Sequence, residues 1–223
     1  MYPMTSSGLD RVRITISLSR ELATRIDEMV DGVHIRNRSH AIETLVSDSL
    51  ELVQIRHAVI MAGGDHAIER IPAIERMLVT LVQYGISDIT VAVGYLGDRI
   101  RQSLGTGEGR GMTIQYIESD LGTGGSLLQL KSRLKRTFLV VNVDQPVEIN
   151  LKMLLKFHRD HQPVATIATR SLRELSGVYV MEPRILTHIP PGFCMLEDTV
   201  FDDLTRQGKL LPYPILTDSK VST

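Results

Sequence analysis

His57-Ala-Val-Ile-Met-Ala-Gly-Gly64 is the stretch on which the fold turns. Residues 57–61 form an apolar run closed by the glycine pair 63–64, the pattern of a strand buried on both faces and ended where the backbone must turn. Downstream, helical and strand periods alternate. Helices are expected over 72–84, 98–104, 124–134, 151–161 and 197–207, and strands over 89–93, 112–118, 137–143, 164–169, 177–181 and 210–216. Such alternation predicts an α/β domain with a Rossmann-like, mostly parallel sheet.

Upstream of this stretch the period differs. From Arg11 to Leu18 the chain alternates strictly, with Val12, Ile14, Ile16 and Leu18 on one face and Arg11, Arg13, Thr15 and Ser17 on the other, which predicts one half-buried strand. Ser19 then reads as a helix N-cap, and Leu22, Ile26, Met29 and Val30 recur at helical spacing until Asp31-Gly32. Ser39 reads as the N-cap of a second helix carrying Ile42, Leu45, Val46 and Leu50. Three segments follow: a flexible N-terminus over 1–10, a β-α-α module over 11–55, and an α/β domain over 56–223.

The whole chain of 223 residues has a formal net charge of −1, so no global field draws it to nucleic acid and any DNA contact depends on local charge placement. Cys194 is the single cysteine, which excludes an internal disulfide and a cysteine-rich zinc site within one chain. Residues 1–10 lack a basic start followed by an apolar run, and no apolar stretch has the length of a membrane span. A cytoplasmic protein with no membrane partner is the expectation.

A lone strand cannot satisfy both of its edges, and the simplest partner for 11–18 is its own copy across a two-fold axis. With its R-V-R-I-T-I-S-L-S run, Asp31-Gly32 turn and Asn37-Arg38-Ser39 helix entry, the segment from Asp10 to Leu52 resembles the ribbon-helix-helix family. That resemblance implies a homodimer whose paired strands enter the major groove of double-stranded DNA. Arg11 and the outward residues Arg13, Thr15 and Ser17 would then meet the DNA, with Arg13 able to grip a guanine edge. Arg36, Arg38 and Ser39, at the start of the second helix, would meet a phosphate. The acids of the module, among them Glu21, Asp27, Glu28, Asp31 and Glu43, offset its arginines, so strong nonspecific affinity is not expected.

The second domain resembles sugar-nucleotidyltransferases in motifs that fall in family order. These are A-G-G at 62–64, Y-G-I-S-D-I-T-V-A-V-G-Y-L-G-D from Tyr84, L-G-T-G-G-S-L from Leu121, F-L-V-V-N-V-D from Phe138 and G-V-Y-V-M-E-P from Gly177, followed by Glu197-Asp198 and Pro212-Tyr213-Pro214. The resemblance implies that Gly63 and Gly64, with Gly122, Thr123 and Gly124, bind a nucleotide. It also implies that Asp144 holds Mg²⁺ against the phosphates, with Asp218 as a second candidate ligand.

The chain departs from the family where phosphate chemistry resides. Active members follow A-G-G with G-T-R-L and later P-K. Here Gly64 is followed by Asp65-His66-Ala67-Ile68, and Arg70 is the single cation before Ile71-Pro72. The insertion carrying a sugar-phosphate lysine is absent between Thr169 and Gly177, and Val143 replaces a small residue beside Asp144. Without charge neutralisation at both phosphates, several kcal/mol of transition-state stabilisation are missing.

Plainer readings stand beside these. Gly63, Gly64 and the 122–125 run serve turns as well as ligands, and Asp144 serves as a carboxylate ending a strand. The Gly105, Gly107, Gly109 and Gly111 series precedes a strand and reads as a connector. His158 and His161 read as a solvated helix end. The leading expectation is a dimeric DNA-binding transcriptional regulator with a degenerate transferase domain that senses a nucleotide or sugar nucleotide, with no catalytic residue assigned. The alternatives are an active sugar-phosphate nucleotidyltransferase with a dimerisation arm, and a structural scaffold.

Overall fold

The computed structural model describes residues 14–33, 35–52, 55–64, 68–143, 149–171 and 174–215. The chain divides into two compact units, Met1–Ser49 and Leu50–Thr223.

In the first unit, helix α1 (Arg20–Glu28) starts at Ser19, whose Oγ accepts from the Leu22 amide at 3.2 Å. The hydroxyl thereby satisfies one of the amides a helix start leaves open. The turn after α1 is built on Asp31, whose Oδ1 accepts from the amides of Val33 and Ile35 at 2.8 and 2.9 Å, while Gly32 takes φ 75°. Helix α2 (Arg38–Leu52) begins one cap earlier than the sequence reading: Asn37 Oδ1 accepts from the His40 amide at 2.9 Å, so Asn37 is the cap and Ser39 lies inside the first turn. Residues 14–19 form no ladder within the chain; the strand expected over 11–18 would pair with a second copy, and its residues 11–13 lie outside the described residues. Ile14 and Ile16 are 76% and 51% exposed, and Leu18 and Leu22 are exposed as well.

The second unit is a seven-stranded sheet made of β1 (His57–Ala62), β2 (Asp88–Val93), β3 (Thr113–Glu118), β4 (Phe138–Asn142), β5 (Ala165–Ser171), β6 (Glu174–Met181) and β7 (Leu210–Pro214), in the order β3-β2-β1-β4-β6-β5-β7. β1 pairs parallel with both β2 and β4, and β6 runs antiparallel to β4 and β5. Helices α3 (Ile71–Gln83), α4 (Gly97–Leu104) and α6 (Leu151–His161) supply the core on one face of the sheet. The core on the other face comes from α5 (Gly122–Gln129), the 3₁₀ turn Pro183–Thr187, the π-turn Leu196–Val200 and α7 (Phe201–Arg206).

β1 explains why its sequence reads as one apolar run. Ala58, Ile60 and Ala62 enter the first core, while Val59 and Met61 enter the second. A strand covered by helices on both faces has no polar side to alternate with.

Where the sequence lacks an insertion, β5 and β6 close as a hairpin, Ser171 and Glu174 being ladder partners. The expected helix over 197–207 divides into the π-turn and α7. The glycine series at 105–111 is a connector as expected, each of its four glycines having positive φ.

His158 departs from its expected solvation. It is 4% exposed, with Nδ1 2.8 Å from Thr166 Oγ1 and Nε2 3.2 Å from Glu182 Oε1. Packing of α6 onto β5 and β6 buries it, and these partners satisfy both ring nitrogens. His161 is exposed and stacks on Phe157.

Candidate functional site

β1 is where the chain order reverses, since β2 lies to one side and β4 to the other. In open α/β sheets, the crevice beyond the carboxyl ends of the strands at such a switch point is where ligands bind. A cleft of about 300 Å³ lies there, lined by Met61, Gly63, Gly64, Ala92, Ser119, Asp120, Gly122, Thr123, Ser126, Asn142, Phe193 and Met195.

The expected glycines take two different parts. Gly63 lines the cleft and has nothing within 4 Å of where a Cβ would stand, so its missing side chain leaves open space. Gly64 lines it with φ 98°. The glycines of the second loop are required by packing. A Cβ on Gly122 would stand 2.6 Å from the Cys194 carbonyl oxygen, and one on Gly125 would stand 2.7 Å from the Gly192 carbonyl oxygen.

Gly124 does not line the cleft: a Cβ there would meet Cys194 Sγ at 2.8 Å. Its amide donates to the Cys194 carbonyl at 2.8 Å, and the Gly125 amide donates to the same oxygen at 3.4 Å. Leu121 in turn accepts from the Cys194 amide at 2.9 Å. Two amides that a helix start would offer an anion are therefore engaged inside the protein.

Thr123 lines the cleft, but its hydroxyl is committed. It accepts from the Leu196 amide at 2.9 Å and donates to Glu197 Oε2 at 2.9 Å. Glu197 Oε1 accepts from Tyr179 at 3.0 Å. Burial first, then the Glu197 charge, pushes the Tyr179 phenol well above its ordinary range, so Tyr179 stays protonated and donates. This chain of bonds joins the glycine loop, the π-turn and β6. Ser126 Oγ donates to the Gly122 carbonyl at 2.7 Å and is hydrogen-bonded with Ser119 Oγ at 2.8 Å. The 192–197 wall was not assigned to the site from sequence, beyond Glu197-Asp198 as a helix start. Glycines at 122, 124 and 125 were its one visible trace.

Among the described residues no lysine or arginine lines the cleft, and Asp120 is its one carboxylate. Asp144 and Asp218, the expected Mg²⁺ ligands, lie outside the described residues. No group of three His, Cys, Asp or Glu among the described residues is arranged to hold a metal, and Mg²⁺ needs a near-octahedral set of oxygens.

In the first unit, Arg11 and Arg13 also lie outside the described residues, while Thr15, Ser17, Arg36 and Ser39 are exposed. Arg38 is exposed and forms a surface ion pair with Asp27 of its own unit through two nitrogens. The pair raises the Arg38 pKa and lowers that of Asp27. The sequence reading of Arg38 as a phosphate contact stays a proposal; within the folded unit its guanidinium meets Asp27 across the turn. No helix among the described residues is long and apolar enough to cross a membrane.

No family model matches the chain. It is 24% identical to the UTP–glucose-1-phosphate uridylyltransferase of Synechocystis, covering 54% of this chain and 44% of that protein. It is 28% identical to the bifunctional protein GlmU of Brevibacillus brevis, covering 54% and 29%. It is 24% identical to the mannose-1-phosphate guanylyltransferase catalytic subunit beta of Drosophila melanogaster, covering 62% and 47%. The matched region thus spans less than half the length of each of these relatives.

Among solved structures, HddC from Yersinia pseudotuberculosis superposes with TM-score 0.60 at 18% identity, covering 72% of this chain and 90% of that one. A Bacillus anthracis protein proposed to be a glucose-1-phosphate thymidylyltransferase superposes with TM-score 0.62 at 15% identity, covering 72% and 87%. At such identities the likeness establishes the fold. The second unit is a nucleotidyltransferase-like α/β domain.

Proposed function

We propose that this chain is a self-associating, cytoplasmic DNA-binding regulator whose second unit keeps the nucleotidyltransferase-like cleft to bind a nucleotide-type ligand without turning it over. The observation that carries the second half is the composition of the cleft. Its position and glycine walls suit a nucleotide, yet no cation lines it among the described residues. Phosphoryl and nucleotidyl transfer depend on positive groups that meet charge as it develops on the phosphates. A cleft that binds but lacks those groups is a sensor.

The first half rests on the resemblance of residues 10–52 to ribbon-helix-helix proteins. The exposed apolar row Ile14, Ile16 and Leu18 supports it, since a second copy of the segment would cover these residues. Dimerisation would align the two ribbons on a two-fold site in DNA, with Arg13, Thr15 and Ser17 toward the bases.

The test is a thermal melting screen of the full chain against nucleosides, nucleotides and sugar nucleotides, with and without Mg²⁺. A ligand that binds the folded state raises Tm by mass action. The sensor reading predicts a concentration-dependent rise with at least one class, and no rise with any class contradicts it. A working transferase is the second reading, favoured by the enzymes named among the relatives.

A further inference from the structure

The cleft has features that bear on how much negative charge its occupant carries. Ser119, Asp120, Thr123, Ser126 and Asn142 are its polar lining groups, so the one formal charge among them is negative. The start of α5 has its Gly124 and Gly125 amides committed to the Cys194 carbonyl. The segments that adjoin the lining residues in sequence add no lysine or arginine: residues 65–67 read Asp-His-Ala and 144–148 read Asp-Gln-Pro-Val-Glu. A triphosphate entering such a cleft would lose water without gaining a cation, which is costly for a multiply charged group.

The same cleft carries an aromatic ring for which the core has no use. Phe193 lines it and is 69% exposed, although burial of a phenylalanine side chain is strongly favourable. Its neighbours in sequence, Cys194 and Leu196, are buried, so the chain is anchored immediately beside a ring left at the cleft. Aromatic rings in this setting stack on planar bases, whatever the base, because every base has a π-face.

We propose that the ligand of this cleft is a nucleoside carrying no polyphosphate, its base stacked on Phe193. The proposal rests on the sensor reading above and narrows its ligand class. Phosphates added to the nucleoside weaken binding, and they weaken it most at low salt, where repulsion is least screened.

Calorimetric titration of the full chain tests it, using adenosine, guanosine, cytidine, uridine and thymidine, then the 5′-monophosphate and 5′-triphosphate of each, at two salt concentrations and with or without Mg²⁺. The expected result is that one nucleoside binds at least tenfold more tightly than its triphosphate, and that the gap narrows as salt rises. Phe193→Ala is expected to lose about tenfold or more in nucleoside affinity while Phe193→Trp retains it; the ring is exposed, so both variants should fold. A triphosphate that binds more tightly than its nucleoside, with or without Mg²⁺, overturns the proposal and leaves the sensor reading standing. Unchanged affinity in Phe193→Ala overturns the stacking assignment. If no member of the series binds, the proposal fails, and the sensor reading fails with it only where the melting screen with sugar nucleotides shows no rise either.

Discussion

The Cys194 carbonyl oxygen lies where a Cβ on Gly122 would have to stand, 2.6 Å away. Gly122 also has φ 73°, so an alanine there meets both backbone strain and a collision with backbone. Gly122→Ala should destabilise the second unit by about 1–3 kcal/mol. Gly124→Ala meets mainly the Cys194 side chain, so Cys194→Ala should recover part of its loss and none of that of Gly122→Ala. Gly63→Ala has no neighbour to strike and should leave stability within about 0.5 kcal/mol, while weakening any ligand of the cleft. Urea denaturation of the four single and two double variants, with ligand titration of Gly63→Ala, measures each effect.

Two part-buried networks at the end of the sheet opposite the cleft predict how stability responds to acid. His57 lies with Nδ1 3.1 Å from Asp88 and Nε2 3.0 Å from Thr90 Oγ1, and Arg133 also faces Asp88. Burial outweighs the Asp88 charge and lowers the His57 pKa, so the folded protein favours the neutral ring. Stability from this site is present above the unfolded histidine value of about 6.5 and is lost as pH falls from there through the folded value.

Glu182 is held below its ordinary range, first by its hydrogen bond with His158 and then by that from Thr137, with Arg184 adding a charge. Its contribution is present above the unfolded value of about 4.3 and is lost as pH falls through the folded one. Urea midpoints measured from pH 7 to pH 3 should therefore fall in two windows. His57→Gln should flatten the upper window and Glu182→Gln the lower. A flat wild-type profile across both would contradict the assignment.

Much of this fold was legible because the strands at the centre of the sheet are covered on both faces. β1 and β4 read as unbroken apolar runs, and the capped, amphipathic α6 falls on its expected bounds. The contacts that complete the cleft were not legible, since they join Gly122 and Gly124 to Cys194 across the fold and no local period encodes that register. Asn37 and Ser39 are both good caps two residues apart, and sequence alone does not say which oxygen reaches a helix amide; Asn37 does. Arg38 read as a phosphate contact, and its ion pair with Asp27 was not legible because that residue lies on the previous helix. His158 read as solvated because nothing at the end of α6 announces Thr166 and Glu182.

Self-association is expected to depend on the exposed row Ile14, Ile16 and Leu18. The full chain should sediment as at least a dimer, and an Ile14→Asp, Ile16→Asp double variant should shift it toward monomer without altering the melting of the second unit. A monomeric wild type at micromolar concentration would contradict the shared ribbon.

Binding of the chain to its own upstream DNA should separate the arginines of the first unit. Arg13→Ala should cost about 1–3 kcal/mol on the correct site and flatten discrimination among sequences, as loss of a bidentate base contact does. Arg36→Ala should lower the salt slope by about one phosphate's worth. Arg38→Ala should lower it less, because Asp27 already neutralises that charge. Titrations at two salt concentrations against the upstream and scrambled duplexes report all three, and equal binding of both duplexes by wild type would reduce the segment to a dimerisation device.

The second unit is proposed to keep a nucleotidyltransferase-like cleft without the reaction. Pyrophosphate release by the full chain, supplied with each nucleoside triphosphate, a set of sugar 1-phosphates and Mg²⁺, tests it most directly. Release no faster than in the protein-free control is expected. Sustained release that disappears in Asp144→Ala would contradict it and establish a working transferase.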